Sequence, residues 1–213
     1  AAGRTRRTVN PLGQIATTLY DAAGRVAVSI DPLGNRATTV YDAAGRTRRA
    51  VNPLNQATTT LYDAAGRAVA QIDPLGNRTS TVYDAAGRIR RSLDALGQLT
   101  TSLYDNGGRV VASIDPLGFR TTAAYDAAGR VRRRVDPLGL ITTALYDNAN
   151  RVVVSFDTLG NRTTTLYDVG GRIVATVDPL GLRTTNTYDA NNRLRRQLNP
   201  IGLVTTSVYD AAG

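Results

Sequence analysis

Six residue types are missing from this 213-residue chain: Cys, His, Lys, Glu, Met and Trp. Each absence removes a class of chemistry. Without Cys there is no disulfide framework, thiolate nucleophile or zinc finger, and without His the commonest general base and the commonest metal ligand are gone. Ser and Thr are left with neither His nor Lys to activate them, so the composition argues against an enzyme and implies no cofactor. There is also no apolar run long enough for a transmembrane segment and no signal-peptide pattern. What remains is unusually uniform. All 26 basic residues are Arg, all 17 acidic residues are Asp, and the formal net charge is +9.

The residues that are present recur on a strict period. Tyr stands at 20, 41, 62, 83, 104, 125, 146, 167, 188 and 209, always 21 residues apart and always followed by Asp. No repeat contains an insertion or a deletion, so residues 1–213 read as one array. The chain opens and closes on Ala-Ala-Gly and has no Met, and it is expected to be an excerpt from a longer array.

One repeat, GRVAVSIDPLGNRATTVYDAA from Gly24 to Ala44, has two runs rich in β-branched residues. Asp31-Pro32-Leu33-Gly34-Asn35 separates them, and Asp42-Ala43-Ala44-Gly45 follows the second. Val, Ile, Thr and Tyr favour a pleated surface, Pro presets φ at a turn corner, and Gly supplies positive φ. The spacing predicts strands over residues 25–30 and 36–41, with the same pattern in every repeat. Asn replaces the turn Gly at 55, 150 and 192, in keeping with its tolerance of the left-handed region. No stretch keeps a helical period. The expected fold is therefore all-β. Twenty strands are too many for a flat sheet, so the strip is expected to coil. It could do so as an antiparallel hairpin wall, tube or large barrel, or as a parallel β-solenoid, and turn length alone does not separate these.

The phrase Tyr20-Asp21-Ala22-Ala23-Gly24-Arg25, repeated from Tyr41, Asp42, Gly45 and Arg46 and again from Tyr62 and Asp63, resembles the YD or RHS repeat, as does the preceding D-P-x-G. That family includes the shells of bacterial RHS and Tc toxins, wall-associated repeat proteins and teneurins. The resemblance spans all ten repeats and implies β-hairpins joined side by side into a spiralling sheet around a hollow. It tips the choice toward the antiparallel wall. It also brings an autoproteolytic D-P-x-G-L motif, matched by Asp136–Leu140 and Asp178–Leu182, but D-P-L-G occurs throughout the chain and reads here as a turn.

A second pattern overlies the first. Five repeats carry a double Arg in the first strand: Arg6-Arg7, Arg48-Arg49, Arg90-Arg91, Arg132-Arg133 and Arg195-Arg196. The other five carry instead one Arg at the start of the second strand: Arg36, Arg78, Arg120, Arg162 and Arg183. All of the net positive charge falls in the double-Arg repeats; Arg4–Gly24 is +2, whereas Arg25–Gly45 is zero. Each single-Arg repeat has Asp five positions before that Arg, as in Asp31 and Arg36, and an ion pair or a shared hydrogen bond across the turn would explain the association, although Asp94 and Asp136 stand without such an Arg.

Alternation along a strand sends one Arg of each pair to each face. Arg7 is then expected on the face shared by the positions of Val26, Val28 and Ile30. The pairs are candidate anion-binding residues, with an anionic polysaccharide as a candidate partner; no aromatic platforms interleave with them as nucleic-acid binding would want. The Tyr-Asp positions are expected to be structural, Tyr packing on neighbouring strands and Asp bonding the turn. With the resemblance, these features imply a repeat scaffold of a secreted or cell-surface bacterial protein, either a fibre, sheath or adhesin wall or the wall of a toxin shell, that is expected to self-associate through its repeats or sheet edges.

Overall fold

The computed structural model describes residues 4–210, and all regular structure among them is β-strand. Twenty strands, two in each repeat, run from β1 (Thr5–Val9) and β2 (Ile15–Tyr20) through β3 (Val26–Ile30) and β4 (Arg36–Tyr41) to β19 (Leu194–Leu198) and β20 (Val204–Thr206). The chain divides into two compact units, Ala1–Ser102 and Leu103–Gly213. Within each unit every strand pairs antiparallel with its neighbour in sequence, as β2 does with β3 and β3 with β4. The fold is therefore a hairpin meander, and the parallel solenoid is ruled out. Among the described residues β1 pairs only with β2, and β20 only with β19, so neither unit closes into a barrel on itself.

The turns form as their residues dictate. In the turn within a repeat, Gly34 N–H donates to the Asp31 carbonyl and Asp31 N–H to the Asn35 carbonyl, both at 3.0 Å. The Asp31 carboxylate accepts from the Leu33 and Asn35 amides at 2.9 Å. Gly34 has φ 83°, Asn55 takes 60° at the equivalent corner, and Asn150 and Asn192 take 62° and 64° at the corner of the turn between repeats, as their substitution for Gly implied. The turn between repeats repeats this geometry, with Gly45 at φ 84° bonded to the Asp42 carbonyl.

One feature of the register departs from simple alternation. Between repeats Leu19 pairs with Val28, but Tyr20 pairs with Val26, so Ala27 is the extra residue of a β-bulge. The bulge recurs beside Tyr41, where Arg48 is the extra residue, and beside Tyr62, where it is Val69. A bulge breaks the period-2 alternation of the strand that carries it. Val26 therefore shares the face of Tyr20, while Val28 and Ile30 lie on the opposite face with Leu19 and Thr17. The expectation that Val26, Val28 and Ile30 share one face fails for this reason.

Very little is buried. The buried residues among those described are Val28, Ala70, Ala112 and Ala175, each 8% exposed or less, and all four occupy the same position on the non-tyrosine face of single-Arg repeats. In double-Arg repeats that position holds an exposed Arg. A one-layer sheet cannot build a deep core, so much of its cohesion must come from the backbone ladder and from contacts at its two rims.

Candidate functional site

The Tyr-Asp-x-x-Gly-Arg turns all lie on one rim of each unit, because successive hairpins enter and leave the meander on the same side. There the repeated residues join one another. Asp21 accepts twice from Arg25, from its backbone N–H at 2.9 Å through Oδ1 and from Nε at 2.7 Å through Oδ2. Held in this way, the Arg25 guanidinium reaches the next repeat, where its Cζ stacks 4.5 Å from the Tyr41 ring centroid and Nη1 donates to the Asp42 carbonyl at 3.4 Å. Tyr41 in turn donates from its hydroxyl to the Val26 carbonyl at 3.0 Å, closing the open end of its own hairpin.

Asp42 then holds Arg46, which stacks on Tyr62, and the pattern continues to Arg193 over Tyr209, with guanidinium-to-ring distances of 4.4–5.0 Å. The Asp carboxylates along this rim are only about one-fifth to one-quarter exposed. The amide of the residue four positions on, with its guanidinium, holds each of them below the usual carboxylate range.

The chemistry of this ladder is cohesion. A ring face covered by a guanidinium and a carboxylate bonded across a turn hold one repeat to the next, and a hydroxyl bonded to a carbonyl holds each hairpin closed. Sequence reasoning placed Tyr on neighbouring strands and Asp on the turn, and it missed the Arg that bridges them. The signal for it was the invariant spacing of four between Asp21 and Arg25, which a turn closed by Asp31 and Asn35 shows to be a side-chain contact distance.

Residues 41–81, 83–121 and 125–157, just over half of the chain, match the RHS repeat. The chain belongs to the RHS repeat family. Its fold is similar to the crystal structure of TcdB2-TccC3, with a TM-score of 0.52 and 18% identity over 99% of this chain and 14% of that one. The same complex without its hypervariable C-terminal region gives 0.50 and 16%, again over 99% and 14%. The chain thus spans about one-seventh of those Tc toxin chains, and at this identity the likeness is one of fold. No curated protein matches the sequence.

The remaining candidate residues of the RHS array fall elsewhere. Arg6 pairs with Thr18, two residues from Tyr20, whereas Arg7 pairs with Thr17, so each double Arg does divide between the two faces. Arg48 and Arg49, Arg90 and Arg91, Arg132 and Arg133, and Arg195 and Arg196 are all exposed. None of these pairs enters an ion pair among the described residues. Arg132 and Arg134 border an open groove of about 540 Å³ on the tyrosine face with Thr142, Tyr146, Ser155 and Asp157.

The predicted Asp31–Arg36 ion pair does not form among the described residues. The second Asp31 oxygen accepts instead from the Asn35 side chain at 2.8 Å, and Asp73 and Asp157 bond Asn77 and Asn161 in the same way. Where the turn begins with Asn10 or Asn52, the partner is Gln14 or Gln56. In these turns the residue at the fourth position satisfies the turn side chain, whereas Phe119 and Leu182 offer Asp115 and Asp178 only a backbone amide, and Arg36, one further along, has left the turn. Asp136 and Asp178 bond their turn amides at 2.8–2.9 Å, as the other repeats do.

Proposed function

We propose that this chain is a wall segment, a passive repeat scaffold of a secreted or cell-surface bacterial protein, rather than a site of chemistry. The observation that carries this reading is the rim ladder. Each Asp–Arg–Tyr unit completes its contacts only when another repeat follows, so the arrangement extends itself and needs no special residue at any point along it. Such an array gains stability with repeat number.

Two forms of wall fit, a fibre, sheath or adhesin surface and a closed toxin shell. The fold shared with TcdB2-TccC3 favours the shell. Electron microscopy of the full-length native protein tests both. The wall reading expects a repeat of roughly 10 Å, two strand spacings, along the strip. A long filament favours the fibre form, a discrete hollow particle favours the shell, and a globule without the repeat overturns the wall altogether.

The double-Arg repeats are the proposed anion-binding bands of this wall. Their guanidiniums are exposed on both faces and are free of carboxylate partners, which supports contact with an acidic polysaccharide. Tyr rings already covered by guanidiniums offer no stacking platform for nucleic-acid bases.

A further inference from the structure

The rim opposite the Asp–Arg–Tyr ladder is built from the D-P-L-G turns, and the side chain of its apex residue, unlike its amide, has no role in the turn. Gly34 supplies the positive φ, Pro32 the corner and Asp31 the amide bonds, while the Leu33 side chain projects outward. Yet this apex is Leu in nine repeats and Ile in the tenth, although the positions around it change to Ala95, Thr158, Asn55 and Phe119. Leu12, Leu33, Leu54, Leu75 and Leu96 in the first unit are 77–86% exposed, and Leu117, Leu138, Leu159, Leu180 and Ile201 in the second fall within the same range. Five exposed aliphatic side chains in a row on each unit are a contact surface, not a scatter of surface residues.

A second observation says what covers it. Asp31 and Arg36 occur together but make no ion pair, and both sit on this same rim. Their association keeps each repeat of the rim neutral: Asp comes with Arg at 31 and 36, 73 and 78, 115 and 120, 157 and 162, and 178 and 183, while Asn10, Asn52 and Asn199 come without one. Only Asp94 and Asp136 are left uncompensated. A rim that docked on a charged partner would carry a net charge of the opposite sign. A rim that docks on itself must carry almost none.

We propose that the leucine rim is a self-docking surface whose partner is the leucine rim of a second copy of this chain. The two rims meet about a two-fold axis, so the same patch serves both sides. The pitch makes the same demand, because apex side chains spaced at roughly 10 Å, two strand spacings, interdigitate best with an array of identical pitch. This surface extends the wall reading from one sheet to adjoining strips of sheet, and it is distinct from hydrogen bonding between strand edges.

Sedimentation velocity over a range of concentrations tests it, with the parent chain beside a variant carrying Leu33→Ser, Leu54→Ser, Leu75→Ser, Leu138→Ser, Leu159→Ser and Leu180→Ser. Ser fits the same turn position, so circular dichroism and melting should match the parent. The parent should associate reversibly, and the variant should need at least about tenfold more protein to do so, a loss of ~1.4 kcal/mol or more.

A second variant, Asp31→Asn with Asp73→Asn, leaves Arg36 and Arg78 uncompensated. It should associate more weakly at low salt, and adding Arg36→Gln and Arg78→Gln should restore the parent behaviour. A parent that stays monomeric at every concentration overturns the proposal. So does a leucine variant that associates as well as the parent, which would assign self-association to the strand edges and leave the wall reading intact.

Discussion

Replacing Tyr83 measures what one rung of the rim ladder contributes. Its hydroxyl donates to the Ala68 carbonyl at 3.0 Å, and its ring lies 4.5 Å from the Arg67 guanidinium. Tyr83→Phe removes only the hydrogen bond. The side chain is half-buried and water can reach the carbonyl that is left, so the loss belongs at the low end of the usual range, ~0.5–1 kcal/mol. Tyr83→Leu removes the ring as well, and with it a cation–π contact of ~0.5–1 kcal/mol at a partly exposed site, for a total of ~1–2 kcal/mol.

A repeat array opens locally and need not melt as one unit, so the assay of choice is native-state amide hydrogen exchange across residues 67–87. Protection there should fall about two- to fivefold for Phe and about five- to thirtyfold for Leu, while repeats far along the same unit keep theirs. Combining Tyr41→Phe, Tyr62→Phe and Tyr83→Phe should add the separate losses, because the sites stand roughly 10 Å apart. Equal protection in the parent and both variants would refute the ladder as a source of cohesion. Equal losses for Phe and Leu would remove the ring contact from the account.

Other outcomes follow from the same geometry. The rim Asp residues have folded-state pKa values below their unfolded ones, so the stability they add is complete above about pH 4 and is lost as the pH falls through the lowered folded values. With no His to titrate, melting curves should change little from pH 7 to 5 and drop by pH 3; a transition centred near pH 6 would contradict this. At Gly76, φ 85° with open space around a would-be Cβ, Gly76→Ala should cost ~1–2 kcal/mol from backbone strain alone, and Gly76→Asn should cost less, as Asn55 at φ 60° implies; thermal melts would tell the two apart. Replacing Arg48, Arg49, Arg90 and Arg91 by Ala or Val should weaken binding to heparin and flatten its salt dependence, and unchanged retention on a heparin column would assign these residues to the wall alone.

Residue preferences alone set the local structure of this protein almost completely. Pro32, Gly34 and Asn150 act through their own φ preferences, and β-branched runs such as Ala37–Val40 act through their fit to a pleated surface. Interactions of that kind span four or five residues and repeat with the period, so the strand limits and the Asn-for-Gly corners were legible in the letters. The fate of side chains across repeats was not. The bulge that moves Val26 to the tyrosine face arises from pairing β2 with β3, and the stacking of Arg25 on Tyr41 joins residues 16 apart.

The turn partner of Asp31 shows the same division. Asp31 and Arg36 suggested an ion pair by their covariation, but the turn curls so that the fourth residue faces the carboxylate and the fifth does not. Residue preferences decide where a chain bends. Only the bend itself, together with the register of the neighbouring strand, decides which side chains meet, because contact depends on directions in space that a one-dimensional period does not contain.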